Sequence, residues 1–145
     1  MLGSNPKDLY GEKKPSISKI PPVALLHCAM AMMDGARKYK PYNWRKNKVV
    51  AHIYIDAALR HLLAWADGEE VAPDSKIHHL GHMMACGAIL LDAQSGGNLI
   101  DDRPMPGKFA SEVARLAKQI RDGEVLSEPL EVKNAKRKKN LRSRR

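Results

Sequence analysis

Apolar residues recur at helical spacing along most of the chain. Between residues 109 and 121 they advance by four, three, one and three positions, which places them on one face of a helix. Three earlier stretches are also rich in helix-forming residues, and runs of β-branched residues are few. We therefore expect an all-α fold, a small bundle of about four helices. The predicted helices cover residues 21–39, 49–67, 75–94 and 109–121.

Prolines, glycines and capping residues mark the limits of these segments. The proline pair at 21–22 suits the first turn of a helix, and Pro41 disfavours helix in the residue before it. Gly68 is a typical helix end, and Asp74 or Ser75 is a suitable N-cap for the third helix. The expected organisation is a loop-like arm in residues 1–20, a helical domain in 21–124 and a disordered basic tail in 125–145.

The net charge of +9 is concentrated at the C-terminus. Residues 133–145 carry eight Lys or Arg and no acidic residue, which leaves a net charge of only +1 for residues 1–132. A nucleic-acid-binding fold carries its basic patch on the folded surface, so this distribution argues against one. The tail itself is expected to make salt-sensitive, sequence-independent contact with nucleic acid.

The chain lacks the apolar segments that direct a protein to membranes or to secretion. No apolar run approaches the roughly 20 residues needed to cross a bilayer, and the first residues contain no apolar signal-peptide core. We expect a cytoplasmic protein with no membrane contact. Cys28 and Cys86 lie within predicted helices without a CxxC spacing, which predicts free thiols.

Histidines and carboxylates are concentrated between residues 52 and 92. Such residues at a junction of two helices are typical of divalent-metal sites and of acid–base catalysis. The HHLGH segment at 78–82 lacks the glutamate and the spacing of an HExxH zinc site. Helical phase separates His78 and His82 from His79, so we expect the first two at the surface or behind the site.

Cationic and aromatic side chains accompany this group. Lys38 shares a predicted helix face with Asp34, and Arg45 and Arg60 follow in the chain. Carboxylates that hold Mg²⁺ or Mn²⁺, with cations on phosphate oxygens, suit hydrolysis of a phosphoanhydride. The aromatic segment at 39–47 has two interpretations: it stacks on a base and pairs with phosphate, or its aromatic rings pin it to the core.

Short motifs occur in a specific order within residues 4–105. They are Asn5-Pro6-Lys7-Asp8, Asp34-Gly35-Ala36 with Lys38-Tyr39, Asn43-Trp44-Arg45, Tyr54, Asp56-Ala57, Arg60-His61, Trp65 with Gly68-Glu69, His79-Leu80, Ile89-Leu90-Leu91-Asp92-Ala93 and Asp101-Asp102-Arg103-Pro104. In this combination the chain resembles a family of mostly phage-encoded dATP/dGTP diphosphohydrolases, which are described as relatives of MazG-like pyrophosphohydrolases. The resemblance implies an all-α domain that cleaves a purine deoxynucleoside triphosphate to monophosphate and pyrophosphate, using Mg²⁺, Mn²⁺ or a similar ion.

The chain departs from the MazG-like pattern in its carboxylates. Those enzymes generally carry ExxE followed by ExxD on two facing helices, and the core of this sequence has neither. The resemblance therefore implies a mixed site. The residues assigned to metal binding are Asp34, Asp56, Glu69 and Asp92; those assigned to catalysis are Asp56, His61, Glu69 and His79; those assigned to the substrate are Lys38, Asn43, Trp44, Arg45, Arg60 and Trp65.

Two other functions are consistent with the sequence. The chain would be a helical binding module that docks on nucleic acid or on a protein partner through its basic tail, or a structural bundle whose polar junction is only a hydrogen-bonded core. Three core helices and one amphipathic helix bury modest area for this length, so we expect a homo-oligomer, a dimer or a tetramer. Helix 109–121 would then serve packing or dimer contact.

Overall fold

Helices make up most of the described chain, and the protein is all-α as expected. The computed structural model describes residues 5–125. Within that range the helices are α1 (Pro6–Gly11), α2 (Pro22–Tyr39), α3 (Asn43–Lys46), α4 (Ala51–Ala66), α5 (His79–Ser95) and α6 (Phe109–Arg121), with a 3₁₀ turn at Ile17–Lys19 and two short strands, β1 (Val49–Val50) and β2 (Leu99–Ile100).

The described residues form two units, 5–103 and 104–125. The second unit contains α6, whose predicted bounds are confirmed. Its apolar stripe, which includes Phe109, Val113 and Ile120, is exposed. The basic tail predicted for 125–145 falls almost entirely outside the described residues, and the predicted domain limits stay predictions.

Helix α5 is the centre of the first unit, because α2 and α4 both pack against it. A glycine makes the closest of these contacts possible. A Cβ on Gly81 would lie 2.5 Å from the backbone oxygen of His27 on α2, so any side chain there would collide with the neighbouring helix. The absence of a side chain at this position lets α2 approach the start of α5.

The small core lies at the other end of α5. Trp44, Val49 and Ala93 are buried together, and partly buried residues of α2, α4 and β2 pack around them. Strands β1 and β2 pair in parallel with Val49 opposite Leu99, and the backbone N–H of Val49 donates to the Asn98 carbonyl at 3.0 Å. This pairing fixes α3 and the start of α4 beside the end of α5.

Several predicted boundaries were wrong. The N-terminal arm contains α1, whose first turn is capped by Asn5, with Oδ1 accepting from the Lys7 N–H at 3.0 Å. The aromatic segment contains the short helix α3, and Trp44 within it is buried. Of the two interpretations of that segment, Trp44 does pin it to the core, whereas Tyr42 is exposed.

Helix α5 begins four residues later than predicted. Residues 71–78 form a turn closed by an antiparallel bridge between Val71 and His78, and the Ala72 N–H donates to the Ile77 carbonyl at 2.9 Å. His78, rather than Asp74 or Ser75, is the N-cap, because its Nδ1 accepts from the Leu80 N–H at 3.1 Å. These contacts are made across the turn, so side-chain periodicity does not reveal them.

None of the described helices is both long and apolar enough to cross a membrane. Cys28 and Cys86 are free, as predicted. Burial raises the pKa of both thiols.

Candidate functional site

A cavity of about 450 Å³ opens between α2, α4 and α5, and we call it the main cavity. Its lining falls into two chemical groups. One group is polar: Asp34, Lys38, Asn43, His61, Asp74 and His82. The other is apolar and aromatic: Ala31, Met32, Tyr39, Trp44, Ile53, Tyr54, Ala57, Ala85, Cys86 and Ile89.

Helix α2 supplies a carboxylate and an ammonium group to the polar lining. Asp34 is only 7% exposed, and its two oxygens accept from Arg37 Nη2 at 2.8 Å and from Lys38 Nζ at 2.6 Å. Lys38 Nζ also lies 3.7 Å from Oδ2 of Asp74, which comes from the 71–78 turn. The hydrogen bonds from Lys38 and Arg37 lower the pKa of Asp34, and Asp34 raises the pKa of Lys38. Both groups are therefore charged at neutral pH.

Helices α4 and α5 supply histidines. The rings of His61 and His82 stack with centroids 4.5 Å apart and planes 12° apart. His82 Nε2 lies 2.8 Å from Ser75 Oγ, and His61 Nδ1 lies 2.8 Å from Nδ1 of a third histidine, His79. Burial lowers the pKa of both His61 and His82. The two cavity histidines are therefore neutral near pH 7 and can accept a proton there.

His79 lies behind His61 and does not line the main cavity. It is 4% exposed, and its Nε2 is 3.3 Å from Glu69 Oε2. That contact does not have the geometry of a hydrogen bond, so Nε2 is a buried nitrogen without a hydrogen-bond partner, the only such side-chain atom in residues 5–125. We call His61, His79 and His82 the histidine group.

A second cavity of about 310 Å³ lies at the other end of α5, beside α3. Asp92 is the centre of its polar contacts. Oδ2 of Asp92 accepts from Trp44 Nε1 at 2.6 Å and from Arg45 Nε at 2.8 Å, and Oδ1 accepts from Arg45 Nη2 at 2.9 Å. These bonds lower the pKa of Asp92 to about 2. Asn98 adds hydrogen bonds from Nδ2 to the carbonyls of Trp44 and Arg45, at 3.2 and 2.6 Å. We call Trp44, Arg45, Asp92 and Asn98 the Asp92 cluster.

The structure brings together only part of the predicted site. Of the assigned residues, the main cavity contains Asp34, Lys38, Asn43, Trp44 and His61. Arg45 and Asp92 line the second cavity, and Trp44 lines both. The remaining assigned residues line neither cavity. They are Asp56, Arg60, Trp65 and Glu69, which are exposed, and His79, which is buried behind His61.

Besides aliphatic, glycine and cysteine positions, the sequence assignment omitted two tyrosines, a carboxylate and a histidine of the main cavity: Tyr39, Tyr54, Asp74 and His82. His82 is the clearest miss, because helical phase grouped it with His78, which instead caps α5 and faces Glu70 at 3.1 Å. Tyr39 and Tyr54 both belong to the ordered motifs that carry the family resemblance, so the sequence did contain a signal for them. The position of Asp74 depends on the 71–78 turn, and nothing in the local sequence indicates it.

The predicted metal ligands do not form a single carboxylate cage in one copy of the chain. Asp34 and Asp92 line different cavities, and each is already held by cationic side chains. Across residues 5–125, no three His, Cys, Asp or Glu side chains converge as a metal site would require. The main cavity offers two carboxylates, Asp34 and Asp74, with Lys38 Nζ close to both. These residues therefore do not form a preformed multidentate site for a divalent ion.

Comparison with protein families places most of the chain in a known family. The family model described as "dATP/dGTP diphosphohydrolase, N-terminal" matches residues 4–103, which include both cavities and exclude α6. No curated protein and no solved structure matches the chain.

Proposed function

This chain belongs to the dATP/dGTP diphosphohydrolase family, and we propose that it hydrolyses dATP- or dGTP-type triphosphates to the deoxynucleoside monophosphate and pyrophosphate. The observation that carries the proposal is the two-part lining of the main cavity. Its volume of about 450 Å³ lies in the usual range for small-molecule sites. A nucleotide has the same two parts, a flat base and a charged phosphate chain.

The polar lining suits the phosphate chain. Lys38 is a mobile point charge on α2, and its present partner Asp34 is on the same helix one turn earlier. Exchange of that local partner for a phosphate oxygen requires a side-chain rotation and leaves the packing of the helices unchanged. Asn43 adds an amide to the same lining.

The aromatic lining suits the base. Trp44 is held rigidly by burial and by its bond to Asp92, and Tyr39 and Tyr54 line the same cavity. Base–aromatic stacking contributes about 1–3 kcal/mol per base and tolerates different bases. Purines present the larger stacking surface, which agrees with the dATP and dGTP of the family description.

The chemistry requires a water oxygen to form a new bond to the α-phosphorus while the bridging P–O bond to the leaving pyrophosphate breaks. The proton of that water passes to a base, and we assign this role to the neutral ring of His61 in the cavity wall, because Nε2 of the other cavity histidine, His82, already contacts Ser75. Lys38 would offset negative charge that develops on the phosphate oxygens.

Mg²⁺ or Mn²⁺ remains part of the proposal as a companion of the substrate. Magnesium in nucleotide enzymes is usually held by one or two carboxylates together with the substrate phosphates. Asp34 and Asp74 are the two carboxylates available in the cavity. Among residues 5–125, the side chains do not fit a site that would hold the ion without nucleotide.

We also propose that the protein assembles as a homo-oligomer, because α2 and α4 expose many large apolar side chains. They are Val23, Leu25, Leu26, Met30 and Met33 on α2, and Ile53, Leu59, Leu62 and Leu63 on α4. Large exposed apolar surface is usually covered by a partner. Sedimentation analysis over a range of protein concentrations tests this, and a monomer at all concentrations would contradict it.

The test of the enzymatic proposal is incubation of the protein with each deoxynucleoside triphosphate, with Mg²⁺, Mn²⁺ or chelator, followed by separation of the products. We expect monophosphate and pyrophosphate from dATP or dGTP. Lys38→Gln should reduce kcat/KM by about 100-fold, as expected for loss of one charge-stabilising group. Lys46→Gln on α3 is the matched control, because Lys46 is exposed and lines neither cavity.

Two results would contradict the proposal. One is the absence of monophosphate and pyrophosphate with every nucleotide and metal. The other is equal activity of the Lys38 and Lys46 variants. The alternative function, nucleic-acid contact through the basic tail, is separated by deletion of residues 133–145, which should leave nucleotide hydrolysis intact and remove any salt-sensitive binding.

A further inference from the structure

His79 stands out because it is buried and incompletely satisfied. Its Nδ1 lies 2.8 Å from His61 Nδ1, whereas its Nε2 lies 3.3 Å from Glu69 Oε2 and makes no hydrogen bond. Buried polar nitrogens almost always have a partner, so this one indicates a specific arrangement of protons around it. The arrangement follows from the chemistry of the imidazole ring.

When both rings are neutral, a single proton lies between Nδ1 of His61 and Nδ1 of His79. A neutral ring carries a single N–H, so the choice of donor fixes both tautomers. If His79 donates, its Nε2 presents a lone pair to the carboxylate of Glu69. If His61 donates, Nε2 of His79 carries the hydrogen and presents it to that carboxylate.

The charge of Glu69 favours the second arrangement. A lone pair facing a carboxylate at 3.3 Å is repelled, and an N–H facing it is attracted. Burial of His79 strengthens the preference, because its ring is shielded from solvent. With its proton on Nδ1, His61 has a bare Nε2.

We propose that Glu69 acts through His79 as a positioning residue, which keeps His61 in the Nδ1–H tautomer and leaves Nε2 of His61 as the proton acceptor of the main cavity. The tautomer inference stands on the geometry alone, and its catalytic use rests on the proposed function. Glu69 and His79 line neither cavity, so they act only through His61.

The proton transfers balance in this arrangement. As the water oxygen bonds to phosphorus, its proton moves to Nε2 of His61, and the electron pair of the broken P–O bond leaves with the pyrophosphate. His61 is then an imidazolium that still donates Nδ1–H to His79. The proton later passes to the product or to solvent, which restores the starting tautomer. Glu69 stabilises the transient positive charge through the polarised His79 ring.

The direct test is nitrogen-15 NMR of the histidine rings in the full chain at pH 8. Protonated and unprotonated ring nitrogens have well-separated shifts, so each tautomer can be read without any substrate. We expect His61 to be protonated at Nδ1 and His79 at Nε2. Glu69→Gln should move His61 to a mixture of tautomers, because the side chain keeps its size and loses its charge.

The neighbouring acid provides the matched control. Glu70 is exposed and contacts His78, which is not part of the histidine group, so Glu70→Gln should leave the His61 spectrum unchanged. The inference is overturned if His61 carries its proton at Nε2 in the unaltered protein, if His79 is doubly protonated, or if the Glu69 and Glu70 variants give the same His61 spectrum.

Kinetics test the catalytic part separately. Glu69→Gln should lower kcat by roughly 10- to 100-fold with little change in KM. A positioned base contributes roughly 100-fold or more to the rate, and loss of its positioning residue should remove part of that contribution. An equal rise in KM would instead indicate a role in substrate binding and overturn the catalytic part. If no nucleotide is hydrolysed, the proposed function fails while the tautomer measurement still decides the structural inference.

Discussion

Each end of α5 has a carboxylate held by cationic side chains, but the two ends differ in how completely their polar atoms are satisfied. At its C-terminal end, both carboxylate oxygens of Asp92 accept hydrogen bonds from Trp44 or Arg45, more than 45 residues away in the chain. At its N-terminal end, Asp34 pairs with its own helix, and the buried His79 keeps a nitrogen without a hydrogen-bond partner. Long-range, saturated contacts hold a fold, whereas local, incomplete ones remain available to a ligand.

The largest effect is expected from Trp44→Ala, which removes the ring at the centre of the saturated end. Trp44 is 7% exposed and packs in the core, so its loss should reduce the free energy of unfolding by about 3–5 kcal/mol. Urea denaturation followed by circular dichroism measures this. Trp44→Phe keeps an aromatic ring and loses the bond to Asp92, so it should cost a smaller part of that amount. If Trp44→Ala reduces the free energy of unfolding by less than about 0.5 kcal/mol, as is typical of surface positions, the C-terminal end of α5 is not the more stabilising end.

A smaller effect is expected at the histidine end from Gly81→Ala. The new Cβ would meet the backbone of His27, which cannot move without shifting α2, and such overpacking costs about 1–3 kcal/mol. Gly87→Ala on the same helix is the control, because a Cβ there meets nothing within 4 Å. It should stabilise the protein by up to about 1 kcal/mol through helix propensity. Equal stabilisation of both variants would show that α2 does not pack as closely as described.

The smallest expected effect is a change of stability with pH. The two ends of α5 differ here because histidines titrate at one end and a carboxylate at the other. His61 and His82 have lowered pKa values in the folded state, so the unfolded chain binds more protons as pH falls below about 6.5. Their contribution to stability is present above that pH and is lost as pH falls through the window below it. The carboxylate Asp92, with a pKa of about 2, keeps its charge throughout that window.

Thermal unfolding from pH 8 to pH 5 checks this expectation. The melting temperature should fall below about pH 6.5, and the fall should be shallower in His61→Gln and His82→Gln than in the unaltered protein. An identical slope in the variants would show that these two rings do not titrate as their burial implies.

Much of the fold could be predicted because it depends on local pattern. The spacing of apolar residues gave the helices and the amphipathic α6, and the i, i+4 spacing of Asp34 and Lys38 correctly placed both on one face. Trp44 was predicted to contact either substrate or core, and its burial together with its place in the cavity wall is consistent with both.

The rest of the site depends on contacts between distant segments. The partner of Asp92 is Arg45, 47 positions earlier, and no property of either residue identifies the other. The 71–78 turn brings Asp74 to Lys38 and Ser75 to His82, and it also delays the start of α5. The exposed position of Asp56 follows from the rotation of α4, which the mixed polar and apolar pattern of that helix left open.

The parallel pairing of β1 with β2 has a consequence for how the protein opens. Parallel strands cannot be joined by a tight turn, and here the connection between them is α4, the 71–78 turn and α5. Val49 and Leu99 therefore close a loop that contains much of the cavity wall, with its base at the Asp92 cluster and its apex at the turn. The apex is held by two side-chain contacts, Lys38 with Asp74 and Ser75 with His82, whereas the base is held by strand pairing and by the Asp92 cluster. Side-chain contacts can break by local opening, so we expect the base to be the last part of this loop to open.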